Sequence, residues 1–101
     1  MVLEVVLLNI RPGQTAAFES ALSEVLAIIA SMPGYLLHDL ARCLEDPHRY
    51  LLLIEWETLE SPTIEFCQSA AYLEWQQPLH HFYHPFPTVD DLKPMLERAR
   101  A

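Results

Sequence analysis

Glycine is nearly missing from this chain: Gly13 and Gly34 are the only two in 101 residues. Loops that cradle phosphate with successive backbone N–H groups are glycine-rich, so P-loop and dinucleotide-binding chemistries are excluded. No GxSxG nucleophile elbow occurs either. Cationic side chains are scarce too. Six Lys and Arg stand against 14 Asp and Glu, for a formal net charge of −8, and the six are dispersed. A phosphate backbone needs concentrated positive charge, so nucleic acid is rejected as a partner. An anionic membrane surface is disfavoured on the same ground. The acidity serves solubility. Cys43 and Cys67 form no CxxC pair and are too few for a disulfide framework. Two reduced, buried thiols in a cytoplasmic protein are the expectation. No apolar run approaches the roughly 18 residues of a membrane span. The apolar N-terminal stretch carries Glu4 and no basic segment, so no signal peptide is expected.

What the chain has in excess is apolar strand. Hydrophobic residues make up 51% of it. In Tyr50-Leu51-Leu52-Leu53-Ile54-Glu55-Trp56 apolar side chains fall on both faces, and Val5-Leu7 and Val6-Leu8 repeat the pattern near the N-terminus. A strand with one wet face alternates apolar and polar residues. A sheet of such strands needs a cover on each side. Its own helices can cover one; a second copy of the chain is expected to cover the other.

The order of elements follows from periodicity and punctuation. Residues 3–10 read as a strand, stopped by Arg11-Pro12-Gly13. Phe18, Ala21, Leu22, Val25, Ile28, Ile29 and Met32 then recur at helical spacing. Pro33-Gly34 ends that helix. Residues 35–44 and 50–57 form a hairpin around Glu45-Asp46-Pro47-His48-Arg49. Pairing Leu44 with Tyr50 sets His38 opposite Trp56 and Asp39 opposite Glu55. Ser61-Pro62 starts a short helix through Phe66 and Cys67, and Ser69 caps a second piece over 70–79. Residues 80–88 are an irregular connector, and 88–95 a weak last strand interrupted by Pro94. Strand, helix, strand, strand, helix, strand is the ferredoxin-like βαββαβ arrangement: an α+β fold with a four-stranded antiparallel sheet. Residues 1–101 are expected to form a single domain, with 1–95 as the core and 96–101 as a C-terminal tail.

Three stretches carry a resemblance. Ile10-Arg11-Pro12-Gly13-Gln14 precedes a helix, Pro33-Gly34-Tyr35 follows it, and Tyr50 to Glu57 precede a helix containing Ser69. Over roughly residues 2–79 the chain resembles the antibiotic biosynthesis monooxygenase (ABM) domain family. The resemblance implies a homodimeric α+β barrel with a ligand cavity between each sheet and its own helices. It implies oxygenation of aromatic polyketides or quinols without metal or flavin, so no cofactor is expected. Relatives include haem-degrading enzymes and proteins with no established activity. Aligned on Gly13 and Ser69, the Asn, Trp and His of the haem-degrading branch fall on Val6, Phe66 and Gln76; all three depart, and haem degradation is not expected. Many family members carry His at the position of Phe66. The family's Trp at the end of the third strand is present as Trp56.

Candidate site residues follow from position and chemistry. Trp56 can stack on a planar substrate and offer its N–H, or simply anchor strand to helix. His38 and His84 are the candidate catalytic bases, since imidazole titrates near neutrality and can take a phenolic proton; a histidine bonded to backbone is the bland alternative. Arg42 can hold an anionic substrate or pair with a surface Glu. Tyr72 and Trp75 lie three apart on the second helix, so one of them can face a cavity. Phe66, Tyr72 and Tyr83 complete the expected contacts to a small apolar or aromatic ligand. In His80-His81-Phe82-Tyr83-His84 the spacing of His80 and His84 suits a two-histidine zinc site, but no Cys pair or HExxH supports it and Pro85 opposes a helix. A purely structural connector is the leading reading of this stretch; as an alternative to it, Phe82, Tyr83 and Phe86 can form the apolar side of a lip over a pocket. An Asp39–Glu55 carboxylate pair would suit a hydrolase only around a cleft.

Overall fold

The computed structural model describes residues 1–60, 66 and 68–95. In chain order the elements are β1 (Val2–Asn9), α1 (Thr15–Ala30), β2 (Tyr35–Arg42), β3 (Arg49–Trp56), α2 (Ala70–Gln76), a 3-10 turn at His80–Phe82 and β4 (Thr88–Leu92). The helical start read at Ser61-Pro62, Cys67 and the tail 96–101 lie outside the described residues. The sheet is antiparallel with strand order β2-β3-β1-β4, the ferredoxin-like order, and the chain is α+β as its pattern predicts.

Local chemistry explains the boundaries. Gly13 and Gly34 both take positive φ, 79° and 84°, a conformation open to glycine at little cost. They reverse the chain before and after α1, which is where these two scarce residues are needed. The Ser69 side chain accepts the backbone N–H of Tyr72 at 3.2 Å and so caps α2. Pro78 follows the C-cap Gln77 of that helix, which ends at Gln76 rather than Leu79.

Side-chain parity then divides the sheet. Leu8 and Ile10, Tyr50, Leu52, Ile54 and Trp56 are buried beneath Phe18, Leu22, Val25 and Ile29 of α1. Phe18 sits at the centre, its ring centroid 5.0 Å from Tyr50 and 6.0 Å from Phe82. The opposite parity carries Leu3, Val5 and Leu7 on β1, paired across the ladder with Glu55, Leu53 and Leu51. Leu37 and Leu92 extend this row on the two edge strands. Among the described residues this row stays open over much of its length, with Leu7, Leu37 and Leu92 37%, 38% and 48% exposed, while Glu55 within it is buried at 3%.

The β2–β3 register differs from the expected one by two residues. Arg42 pairs with Tyr50, His38 with Ile54, and Leu37 with Glu55; a bulge then sets Tyr35 opposite Trp56. The connection is wider than a tight five-residue turn, since β2 ends at Arg42 and Cys43 N–H bonds back to the Arg49 carbonyl at 2.8 Å. Asp39 therefore faces Leu53 rather than Glu55, which removes the opposed acid pair. A two-residue slip preserves faces, because the period of a strand is two; the same side chains point to the same layer.

Phe18→Ala should lower stability by about 3–5 kcal/mol, the usual cost of emptying a fully packed aromatic site. Urea denaturation at fixed protein concentration measures it, and a cost below about 1 kcal/mol would contradict the central position given to this ring.

Candidate functional site

The helix-side face of the sheet is not packed solid. A cavity of about 340 Å³ lies between it, α1, α2 and the connector that follows. Val6, Leu8, Leu52 and Ile54 form its floor, Leu22 and Ile29 one wall, and Phe66, Tyr72, Trp75 and Gln76 another. His80, Tyr83, Phe86 and Pro87 flank the side that opens to solvent, where Phe86 is 84% exposed. The aromatic wall is internally braced: Phe66 meets Tyr72 edge-on at 5.4 Å and Trp75 at 6.4 Å. Such a space suits a flat, mostly apolar molecule.

One ionisable group breaks the apolar floor. Glu4 is only 9% exposed and lines the cavity. Its Oε1 accepts the Trp56 Nε1–H at 3.1 Å, and among the described residues no other donor reaches the carboxylate. Across the β1–β4 ladder Glu4 stands opposite Asp91. Burial raises the Glu4 pKa above the usual carboxylate range; the Trp56 hydrogen bond opposes that rise and the neighbouring Asp91 charge adds to it. Asp91 is itself held up, by partial burial and then by Asp90. Tyr83 is pushed up to about 12, by burial and then by Tyr72, so its phenol stays protonated through neutral pH and can donate.

The structure brings together Phe66, Tyr72 and Tyr83 from the sequence-derived set, with both Tyr72 and Trp75 facing the cavity. The two candidate bases are elsewhere. His38 shares the helix-side parity, but its Nδ1 is 2.6 Å from the Tyr35 hydroxyl and it does not line the cavity. His84 is exposed, and its backbone N–H bonds to the Asn9 carbonyl at 2.9 Å. The histidine that reaches the cavity is His80, with Nδ1 3.0 Å from the Gln77 carbonyl. Trp56 is 0% exposed: it anchors β3 beneath the site and touches the cavity only through the carboxylate it holds. Arg42 sits with Glu19, 3.9 Å away, at the far end of β3, where Tyr50 donates its hydroxyl to the same Glu19 at 2.5 Å. In the connector, Tyr83 and Phe86 flank the opening as the lip reading has it, but Phe82 turns inward to pack on Phe18. Among the described residues no group of three or more His, Cys, Asp and Glu could hold a metal ion, and no helix is long and apolar enough to cross a membrane.

Comparison with known proteins gives these features a family. A family model described as antibiotic biosynthesis monooxygenase matches residues 1–78. The chain is 49% identical over 90 residues to YczJ of Bacillus subtilis, itself described as uncharacterized, covering 89% of this chain and 95% of that protein. Among solved structures it is similar to a candidate antibiotic biosynthesis monooxygenase from Bordetella bronchiseptica. The TM-score there is 0.89 at 27% identity, over 94% of this chain and 97% of the other. SnoaB, a cofactor-independent oxygenase from Streptomyces nogalater, shares the fold at TM-score 0.82 and 20% identity, over 95% and 94% of the two chains.

The elevated Glu4 pKa gives stability a signed pH dependence. Below the unfolded-chain value of about 4.3 both states are protonated. As pH rises from there through the higher native value, the unfolded chain releases its proton first, so stability falls and then levels. The stability of the wild type relative to Glu4→Gln should therefore decline across that window, measured by urea midpoints at successive pH values. A flat difference would mean the carboxyl is not desolvated.

Proposed function

The chain belongs to the antibiotic biosynthesis monooxygenase family, and from that premise we propose that it is a cofactor-independent monooxygenase acting on a small aromatic or quinol-type substrate. The observation that carries the reading is the 340 Å³ cavity walled by Phe66, Tyr72, Trp75 and Tyr83 with one carboxyl in its floor. A flat ring fits between the aromatic wall and the aliphatic sheet, and among the described residues the site supplies one carboxyl, from Glu4. The substrate itself supplies the electrons. Quinol plus O₂ gives hydroxyquinone plus water: the ring loses four electrons and gains one oxygen, and the second oxygen leaves as water. Excluding bulk water protects the electron-rich anion that reacts with O₂. A non-catalytic ligand-binding dimer of the same fold is the second reading, favoured by Phe66 at a cavity position where the family resemblance implies His in many members.

The open sheet face supports a homodimer. Leu3, Val5, Leu7, Leu37, Leu51, Leu53 and Leu92 form a largely apolar face, interrupted by Glu55, that the described residues leave partly exposed, and a self-complementary sheet face closes with twofold symmetry. Residues 1–101 act as one domain in this reading. The free, half-buried Cys43 thiol, with its S–H directed at Glu45 Oε2 at 3.2 Å, accords with a reducing, cytoplasmic location.

Two measurements test the reading. Incubation with 1,4-naphthohydroquinone should consume one O₂ per quinol, faster than buffer autoxidation, with one labelled oxygen from ¹⁸O₂ in the product. Stoichiometric peroxide with no incorporation would reject oxygenation, and intact binding without any O₂ uptake would select the non-catalytic dimer. Sedimentation should report about twice the 11.6 kDa of one chain, and Leu53→Asp, which places a charge in the apolar row, should shift the particle to monomer mass. A monomeric wild type at working concentration would remove the dimer.

A further inference from the structure

We propose that Glu4 is the proton acceptor of this cavity, and that it selects substrates carrying an acidic aromatic hydroxyl directed at its Oε2. The inference rests on the oxygenase reading of the site and names the group that reading leaves open. Four observations converge. Glu4 lines the cavity from its floor, on the same parity as Val6 and Leu8. Its Oε1 is committed to Trp56 Nε1–H at 3.1 Å, which fixes the side chain. Among the described residues no side chain or backbone group donates to Oε2, so an acceptor without a protein donor faces a mostly apolar space. Neither His38 nor His84 reaches the cavity.

The step balances without a further reactant. The phenolic O–H bond breaks, a new O–H bond forms at Oε2, and the electron pair stays on the phenolate oxygen, which activates the ring towards O₂. The proton on Glu4 and a second hydrogen given up by the substrate then leave with the second oxygen of O₂ as water. Ring and hydroxyl are positioned by different parts of the protein: the aromatic wall holds the plane, and the carboxylate fixes which edge points down. A buried acceptor left without a donor is costly, so an analogue lacking the hydroxyl is rejected by the site rather than merely held less well. Trp56 and Asp91 act through Glu4 and are positioning residues. The Trp56 N–H favours the carboxylate form, and Asp91, opposite Glu4 on β4, disfavours it. Among the described residues the other titratable groups lining the cavity are Tyr72, Tyr83 and His80; α1 contributes only Leu22 and Ile29 to its wall.

The test compares 2-naphthol with 2-methoxynaphthalene by tryptophan fluorescence quenching, alongside quinol-dependent O₂ uptake. The wild type should prefer the naphthol by about tenfold or more, the range of a hydrogen bond to a charged group. Glu4→Gln, which is isosteric, should shrink that preference to about threefold or less and leave the methyl ether unchanged. Preference for the naphthol should rise with pH as Glu4 ionises. That limb should move to higher pH in Trp56→Phe and to lower pH in Asp91→Asn, two opposite shifts that a merely structural role would not produce. Asp91 is exposed, so its variant keeps the test open if Trp56→Phe is poorly folded. Equal wild-type affinity for the two ligands, a preference that survives Glu4→Gln, or tighter binding of 1-naphthylmethylamine than of 2-naphthol would overturn the assignment. Absent O₂ uptake with the naphthol preference intact would reject the oxygenase reading and retain Glu4 as the hydroxyl acceptor. Normal O₂ uptake in Glu4→Gln would reject Glu4 alone.

Discussion

The central strand pair, β1 and β3, is apolar on both faces, and the rest of the molecule follows from how those faces are covered. Eight register pairs from Val2↔Trp56 to Asn9↔Arg49 lock the two strands together. A one-residue slip would exchange the layers wholesale, so the ladder fixes which side chains meet α1 and which remain open. On the helix side α1 covers the half of the sheet around Phe18, Leu22 and Ile29. The other half is roofed by α2 and the connector, a lighter cover that spans the sheet without filling the space beneath. The cavity is that unfilled remainder.

Within the same constraint Glu4 is the exception that gives the site its chemistry. A charged residue at a core-facing position of a central strand is expensive unless paired. Here the pairing is partial: one oxygen is satisfied by Trp56 from the neighbouring strand, and Asp91 on the other side adds a like charge rather than a counter-charge. Trp56 thereby joins packing to function. Its ring is buried against Tyr35 and Phe66, at centroid distances of 6.4 Å and 6.1 Å, while its single polar atom orients the carboxyl.

Much of the fold was legible because period and punctuation agreed. The apolar stripe of α1, the glycines at its two ends and the serine cap of α2 are local signals, and each matches the element observed. The register of the β2–β3 hairpin was not, since it depends on a wide connection and on a bulge between Tyr35 and Leu37, neither of which leaves a compositional mark. The aromatic half of the site was also legible: Phe66, Tyr72 and Tyr83 lie where helix and connector must face the sheet. The histidines were not, because a histidine's chemistry says nothing of which way its strand or turn points it. Glu4 had a signal that residue type alone concealed. It shares parity with Val6, Leu8 and Ile10, which made it a charged residue in a core row.

That placement sets stability against activity in one residue. An apolar side chain at position 4 would remove the desolvation of a carboxyl and the repulsion from Asp91, and on packing grounds alone it would be the better choice. The cost is tolerable because it is local and because Trp56 offsets part of it. A ligand that brings a hydroxyl into the cavity satisfies the remaining oxygen and excludes water in the same movement. Part of the binding energy then comes from the hydrogen bond to that oxygen, and it is available only to molecules with a donor at the right edge of the ring. Selectivity in this cavity therefore arises from the unfavourable burial of Glu4, while the aromatic wall, which accepts any flat molecule, contributes affinity without discrimination.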